Sequence, residues 1–111
     1  MRQIIPALLS FTLFFSAVDL AYAGDPITIA ANAGTQIGKA KYCGFETDEF
    51  VVSSARAINH YSTTIEQREK ATKQFMLAAK IAMRLGPVVE TCSEFRVGYK
   101  QSLNYLKQAG F

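Results

Sequence analysis

Two cysteines, one histidine and a knot of three carboxylates carry the most specific chemistry in this chain. Cys43 stands in Lys41-Tyr42-Cys43-Gly44 and Cys92 in Thr91-Cys92-Ser93-Glu94. They are far apart in sequence and do not form a C-x-x-C pair, which argues against dithiol exchange. With His60 as the single histidine, none of the usual zinc spacings is present. A relay to a nucleophile would have to centre on His60, yet Ser53, Ser54 and Ser62 read as helix-surface or capping serines. Glu46, Asp48 and Glu49 are close enough in sequence to be paired carboxylates for glycosidic cleavage. They sit, however, where a helix start wants negative charge. The cluster lacks the alternating spacing and glycine of a calcium loop, and there is no glycine-rich phosphate loop. The expectation is a non-enzymatic protein with no catalytic, metal or cofactor-binding residue and no cofactor.

The cysteines are better read as bonded to each other. The chain opens with the basic Met1-Arg2-Gln3, an apolar run from Ile4 to Val18, and Ala21-Tyr22-Ala23. This is the order of a secretory signal peptide, residues 1–23, with cleavage expected after Ala23 and export to the periplasm or beyond. The run is about fifteen residues, short of the roughly twenty that span a bilayer, so no integral membrane span is expected after cleavage. In an oxidising compartment two cysteines form one disulfide. A Cys43–Cys92 bond closes a loop of about fifty residues, for which chain entropy gives about 4 kcal/mol. Residues 24–111 then make a single helical domain. Removing Arg2 and Asp19 from the 12 basic and 9 acidic residues leaves the net charge at +3. For an exported chain that balance points away from nucleic acid and toward anionic lipid, cell-wall polymer or an acidic protein surface.

The elements that would position these residues are helical, since no stretch alternates as strand pairs do. Ile29, Ala30, Ala33, Ile37 and Ala40 predict a first helix from about Thr28 to Tyr42, stopped by Gly44, after a frayed Gly24-Asp25-Pro26. Gly34 and Gly38 weaken it by about 1 kcal/mol each. They are read first as a weak helix that the clasp must hold, and second as a place where another helix could come close. Thr47 or Asp48 caps a second helix, with Phe50, Val51, Ala55, Ile58 and Tyr61 inward and Ser53, Arg56, Asn59 and His60 outward. Overlapping boxes at Thr63-x-x-Glu66 and Thr64-x-x-Gln67 launch a third, ended by Gly86-Pro87. Pro87 opens a fourth, reaching about Gln108, with Val88, Cys92, Phe95, Tyr99, Leu103 and Leu106 on its inward stripe. The expected fold is all-α, a small four-helix bundle with one long-range disulfide.

The third helix is the anomaly. From Phe75 to Leu85 it is apolar on nearly every side, with only Lys73, Lys80 and Arg84 keeping a narrow basic stripe. Such a helix is central to a core or carries a contact surface. Leu77, Ile81 and Leu85 form a row roughly opposite Ala79 and Met83. Lys73, Leu77, Lys80, Ile81, Arg84 and Leu85 are therefore the candidate partner-binding residues.

The segments Tyr42-Cys43 followed by Asp48-Glu49, and Pro87 through Thr91-Cys92-Ser93-Glu94-Phe95, give the chain a pattern that resembles two kinds of small exported helical protein. One is the type II secretion pilotins of the PulS and OutS type, over about Ile37 to Leu106. The other is the periplasmic acid-stress chaperones of the HdeA type, which also have one long-range disulfide. The first resemblance implies binding of a secretin tail, and the second chaperone activity. The pilotins' lipidated cysteine has no counterpart here. The functional expectation is a protein- or peptide-binding module, such as a chaperone or an accessory subunit of an envelope or secretion assembly, with a homodimer as the other form of association. An immunity protein or inhibitor against a periplasm-acting toxin is the alternative, and a cell-wall hydrolase a remote third.

Overall fold

In the computed structural model, which describes residues 25–111, the chain forms four helices. They are α1 (Pro26–Tyr42), α2 (Asp48–Tyr61), α3 (Ile65–Leu85) and α4 (Cys92–Gln108). The expected signal peptide lies outside the described residues. The all-α bundle and the Cys43–Cys92 bond are both present, with the two Cα atoms 5.7 Å apart.

Helix α1 starts two residues before the expected Thr28. Asp25 is an N-cap, not part of a frayed end: its carboxylate accepts the backbone N–H groups of Ile27 (3.1 Å) and Thr28 (3.4 Å). The Thr28 hydroxyl donates to the same group and, with those backbone bonds, holds the carboxyl below its usual range. Pro26 suits the first helical position, where an N–H has no partner to lose. At the other end the Phe45 N–H reaches back to the Ala40 carbonyl (2.8 Å) and the Gly44 N–H to Lys41 (3.0 Å). This is a Schellman closure, and it needs Gly44 at its φ of 79°. The closure turns Phe45 back onto the core.

Helix α1, not α3, is the central helix. Eight of its residues are buried, including Ile29, Ala30, Ala33, Ile37 and Ala40, whereas α3 buries only Ala71 and Ala82. The reason is the pair of glycines that sequence reasoning took first for weakness and second for a close approach, and it is the second reading that holds. A Cβ at Gly38 would lie 2.6 Å from the Ala82 Cβ and closer still to the Ala79 carbonyl oxygen. One at Gly34 would meet the Phe75 carbonyl and lie 3.1 Å from the Ala78 Cβ. The two helices run in the same direction, backbone against backbone, along a seam of glycine and alanine.

Helix α2 runs back along α1, so that Phe50 joins Ala33, Ile37 and Ala40 while Ala57 and Ile58 join Ile29 and Ala30. Thr47 occupies its N-cap but makes no side-chain capping bond; the Glu46 carboxylate takes the Asp48 N–H instead (2.7 Å). Because α2 is covered by both α1 and α4, its buried face is wider than the expected stripe. Ser53 is buried, where it was expected outward, and Ala55 is exposed, where it was expected inward.

Helix α4 begins at Cys92, five residues after the expected Pro87. Thr91 and Glu94 form a full capping box, each side chain bonding the other's backbone N–H at 3.1 and 2.8 Å. That reciprocal cap out-competes proline, which only tolerates a helix start. Residues 87–91 are therefore a loop, and Val88 leaves the inward stripe. The rest of that stripe is in place: Phe95 and Tyr99 are buried, and Leu103 and Leu106 pack against the core. Tyr99 stacks on Phe50 with ring centroids 4.9 Å apart, and its hydroxyl donates to the Glu46 carbonyl (3.0 Å). Burial, and then the Glu46 charge, push the phenol up to about 12.

Two outcomes check this description. Gly38→Ala, which must force α1 and α3 apart, is expected to lower unfolding free energy by roughly 1–3 kcal/mol despite alanine's better helix propensity. The same change at Gly98, in α4 with no atom near the added Cβ, is expected to raise it by about 0.5–1 kcal/mol. Urea denaturation of the two variants measures both signs. Tyr99 keeps its proton more tightly folded than unfolded, so its contribution is complete below about pH 10 and lost as pH rises toward about 12. An alkaline unfolding series should show that loss, and Tyr99→Phe should remove that component of it.

Candidate partner-binding face

The candidate residues lie together on the side of α3 turned away from α1. Thr64 begins the helix by accepting the Gln67 N–H (3.0 Å), while the Gln67 side chain accepts from the Thr63 N–H and hydroxyl. The Gly86 N–H ends it on the Ala82 carbonyl (2.7 Å). Between these ends the inward residues are Ala71, Phe75, Ala78, Ala79 and Ala82, at the three- and four-residue steps of one helical face. Apart from Phe75, which packs into both core clusters, they are alanines. Alanines on α3 against glycines on α1 let the backbones meet. The larger apolar side chains of α3 are consequently left outside.

Leu77, Ile81 and Leu85 are 53%, 50% and 63% exposed, one turn apart in a single row. Lys73, Lys80 and Arg84 are exposed in the neighbouring row, close to opposite the α1 seam. The six residues singled out in the sequence thus share one open surface. On the far side of the basic row Met76 and Met83 are exposed as well. Sequence reasoning missed two further exposed apolar residues in the loop that follows α3. Val88 and Val89 are 76% and 94% exposed in the loop before α4, and the ring of Tyr42 lies against Gly86, within 2.5 Å of where a Cβ would stand. That loop is held at one end by this contact and at the other by the Cys43–Cys92 bond. The signal that could have found it was the Thr91-x-x-Glu94 box, which moves the helix start and releases Val88 and Val89.

The other chemistry-bearing residues are spread out or already engaged. His60 packs on the rings of Tyr61 and Phe111, with centroids 4.8 and 5.3 Å away. Glu46 caps α2, and Glu49 pairs with Lys107. An open cleft of about 400 Å³ between α2 and α4 is lined by Glu49, Ser53, Arg56, Lys107 and Phe111. Its cations are occupied: Lys107 by Glu49, and Arg56 by the Phe111 carbonyl oxygen at 3.2 Å. None of these groups adjoins the α3 face. Among the described residues, no helix is long and apolar enough to cross a membrane.

No protein-family model, curated protein or solved structure matches this chain. The pilotin and acid-stress-chaperone resemblances therefore gain nothing from comparison, and the functional reading rests on the residues themselves.

If the outer row of α3 is a surface and not core, charge there is tolerated. Leu77→Asp and Ile81→Asp are each expected to change unfolding free energy by no more than about 0.5 kcal/mol. Phe50→Ala, at a side chain only 2% exposed, is expected to cost about 3–5 kcal/mol. Chemical denaturation of the three variants separates the cases.

Proposed function

We propose that this chain is an exported, non-catalytic protein-binding module that holds a helical segment of a different protein on the outer face of α3. The role that fits is a chaperone or an accessory subunit of an envelope assembly. One observation supports it above the rest. A 21-residue helix buries only two of its residues while Met76, Leu77, Ile81, Met83 and Leu85 stay open to solvent. These side chains are about half exposed, so leaving them in water forgoes about half of the roughly 1.5–3 kcal/mol that full burial of each is worth, and clusters of this kind mark contact surfaces. An amphipathic helix laid along the α3 row would recover that burial. Export follows from the amino-terminal pattern of residues 1–23 and agrees with the use of both cysteines in one bond.

In-cell photo-crosslinking from positions 77 and 81 tests the reading, with position 104 on the exposed side of α4 as control. The expected result is one discrete heterologous adduct from α3 and none from α4. Recovery of dimers of the chain alone would replace the partner with self-association, and clearing of a peptidoglycan suspension by the purified protein would replace binding with hydrolysis.

A further inference from the structure

We infer that the occupant of the α3 face is an acidic amphipathic helix, its apolar row seated on Leu77, Ile81 and Leu85 and its carboxylates set against Lys73, Lys80 and Arg84. This rests on the binding role proposed above and adds the partner's chemistry, which in turn excludes a second copy of this chain.

Four cations outside α3 are engaged: Lys39 lies 5.9 Å from the centroid of the Phe95 ring and Arg96 5.2 Å from that of Phe45, while Arg56 and Lys107 have oxygen partners. Lys41 and Lys100 are exposed single charges, whereas α3 gathers its exposed cations into one row. On α3, Lys73, Lys80 and Arg84 are exposed and, among the described residues, none of them forms an ion pair. The acids of this helix, Glu66 and Glu69, lie near its start, and none follows between Lys70 and Leu85. The half of the helix with the apolar row therefore has positive charge alone.

A second copy does not satisfy this surface. In an antiparallel pair centred on Ile81, Leu77 meets Leu85 of the other copy, so the apolar rows match. Residues on the same flank of two antiparallel helices then face each other, which sets Lys80 and Arg84 of one copy against Arg84 and Lys80 of the other. Shifting the centre to about residue 75 brings Arg84 opposite Glu66 and Lys80 near Glu69. That register lays Leu77 and Ile81 on Lys73, Gln74 and Lys70. Neither of these antiparallel registers satisfies both rows.

A lipid surface is disfavoured by the order of residues around the helix. An interfacial helix puts apolar side chains at the centre of its buried face and cations at the margins. Here the cations hold the centre of the outer face. Leu77, Ile81 and Leu85 lie on one margin, with Met76 and Met83 on the other. A helix bearing acidic side chains beside its own apolar row fits both features at once.

Selection from a displayed library of randomised helical peptides, with the purified, disulfide-intact protein as bait, tests the inference. Enriched peptides are expected to carry apolar residues at three- and four-residue steps with Asp or Glu alongside. The double change Lys80→Glu and Arg84→Glu is expected to weaken a selected peptide by about tenfold at low salt, and to strengthen its counterpart in which Glu is replaced by Lys. Enriched peptides indifferent to this reversal, yet lost with Leu77→Asp, overturn the acidic partner and leave the binding face standing. Peptides insensitive to Leu77→Asp overturn both. The inference also falls if no peptide is enriched, whether the bait instead self-associates or binds vesicles of phosphatidylcholine with phosphatidylglycerol.

Discussion

The close approach of α1 and α3 is the constraint from which the rest of the structure follows. Gly34 and Gly38 remove the side chains that would hold the two backbones apart, and Ala78, Ala79 and Ala82 answer them from the other side. A seam of this kind gains dispersion contacts between backbones more than burial of large side chains. Its consequence is topological. Small residues fill the interface, so α3 joins the body through one narrow face, and its leucines, isoleucine and methionines have no place inward. In a bundle packed by leucines, α3 would have spent those residues on the core.

The disulfide complements the seam at the same end of the molecule. The Schellman turn at Gly44 brings Phe45 under Phe95 and Tyr99, and Cys43 meets Cys92 one residue after the Thr91 cap. Helix α4 is thereby fixed to the end of α1, although its own burial is small, with Phe95 and Tyr99 as its fully buried residues. The same bond pins the far end of the loop that follows α3. Val88 and Val89 would otherwise be an apolar segment free to collapse onto the nearest surface. Tethered at Gly86 by Tyr42 and at Cys92 by the bond, they stay exposed in the loop that follows α3.

Much of the fold was legible because helix ends are written in short-range chemistry. Gly44, the threonine pair at 63–64 and Gly86 marked their boundaries through capping bonds that involve residues two to five apart. The four-helix reading came from the same local signals, and the cysteine pairing from two cysteines behind an export signal, in agreement with the inward position of Cys92. The errors have physical causes. Pro87 was given more weight than Thr91 and Glu94, although a proline permits a helix start while a capping box stabilises one. Ser53 was placed outside because polarity was read as exposure, and small hydroxyls are tolerated where two helices both cover a third. The glycines of α1 were judged by propensity, which is a property of one helix. Their effect lies in the distance to a second helix, and no local pattern in α1 states which helix that is.

The reading of α3 is the instructive one, because its apolar character was seen while its location, core or surface, was left open. A helix apolar on most sides has two stable destinations, a core or an interface, and composition does not separate them. Separation comes from the partner helix: glycines at the facing positions of α1 can accept only α3's smallest residues, so the large ones must turn outward. Charge then narrows what can cover them. Lys39, Arg56, Arg96 and Lys107 rest on aromatic rings or oxygen atoms of the chain itself, whereas Lys73, Lys80 and Arg84 form a row with no such contact among the described residues. A surface apolar at its margins and positive along its centre is poorly solvated in the first respect and well solvated in the second. An apolar and acidic helix, the occupant proposed above, complements both features.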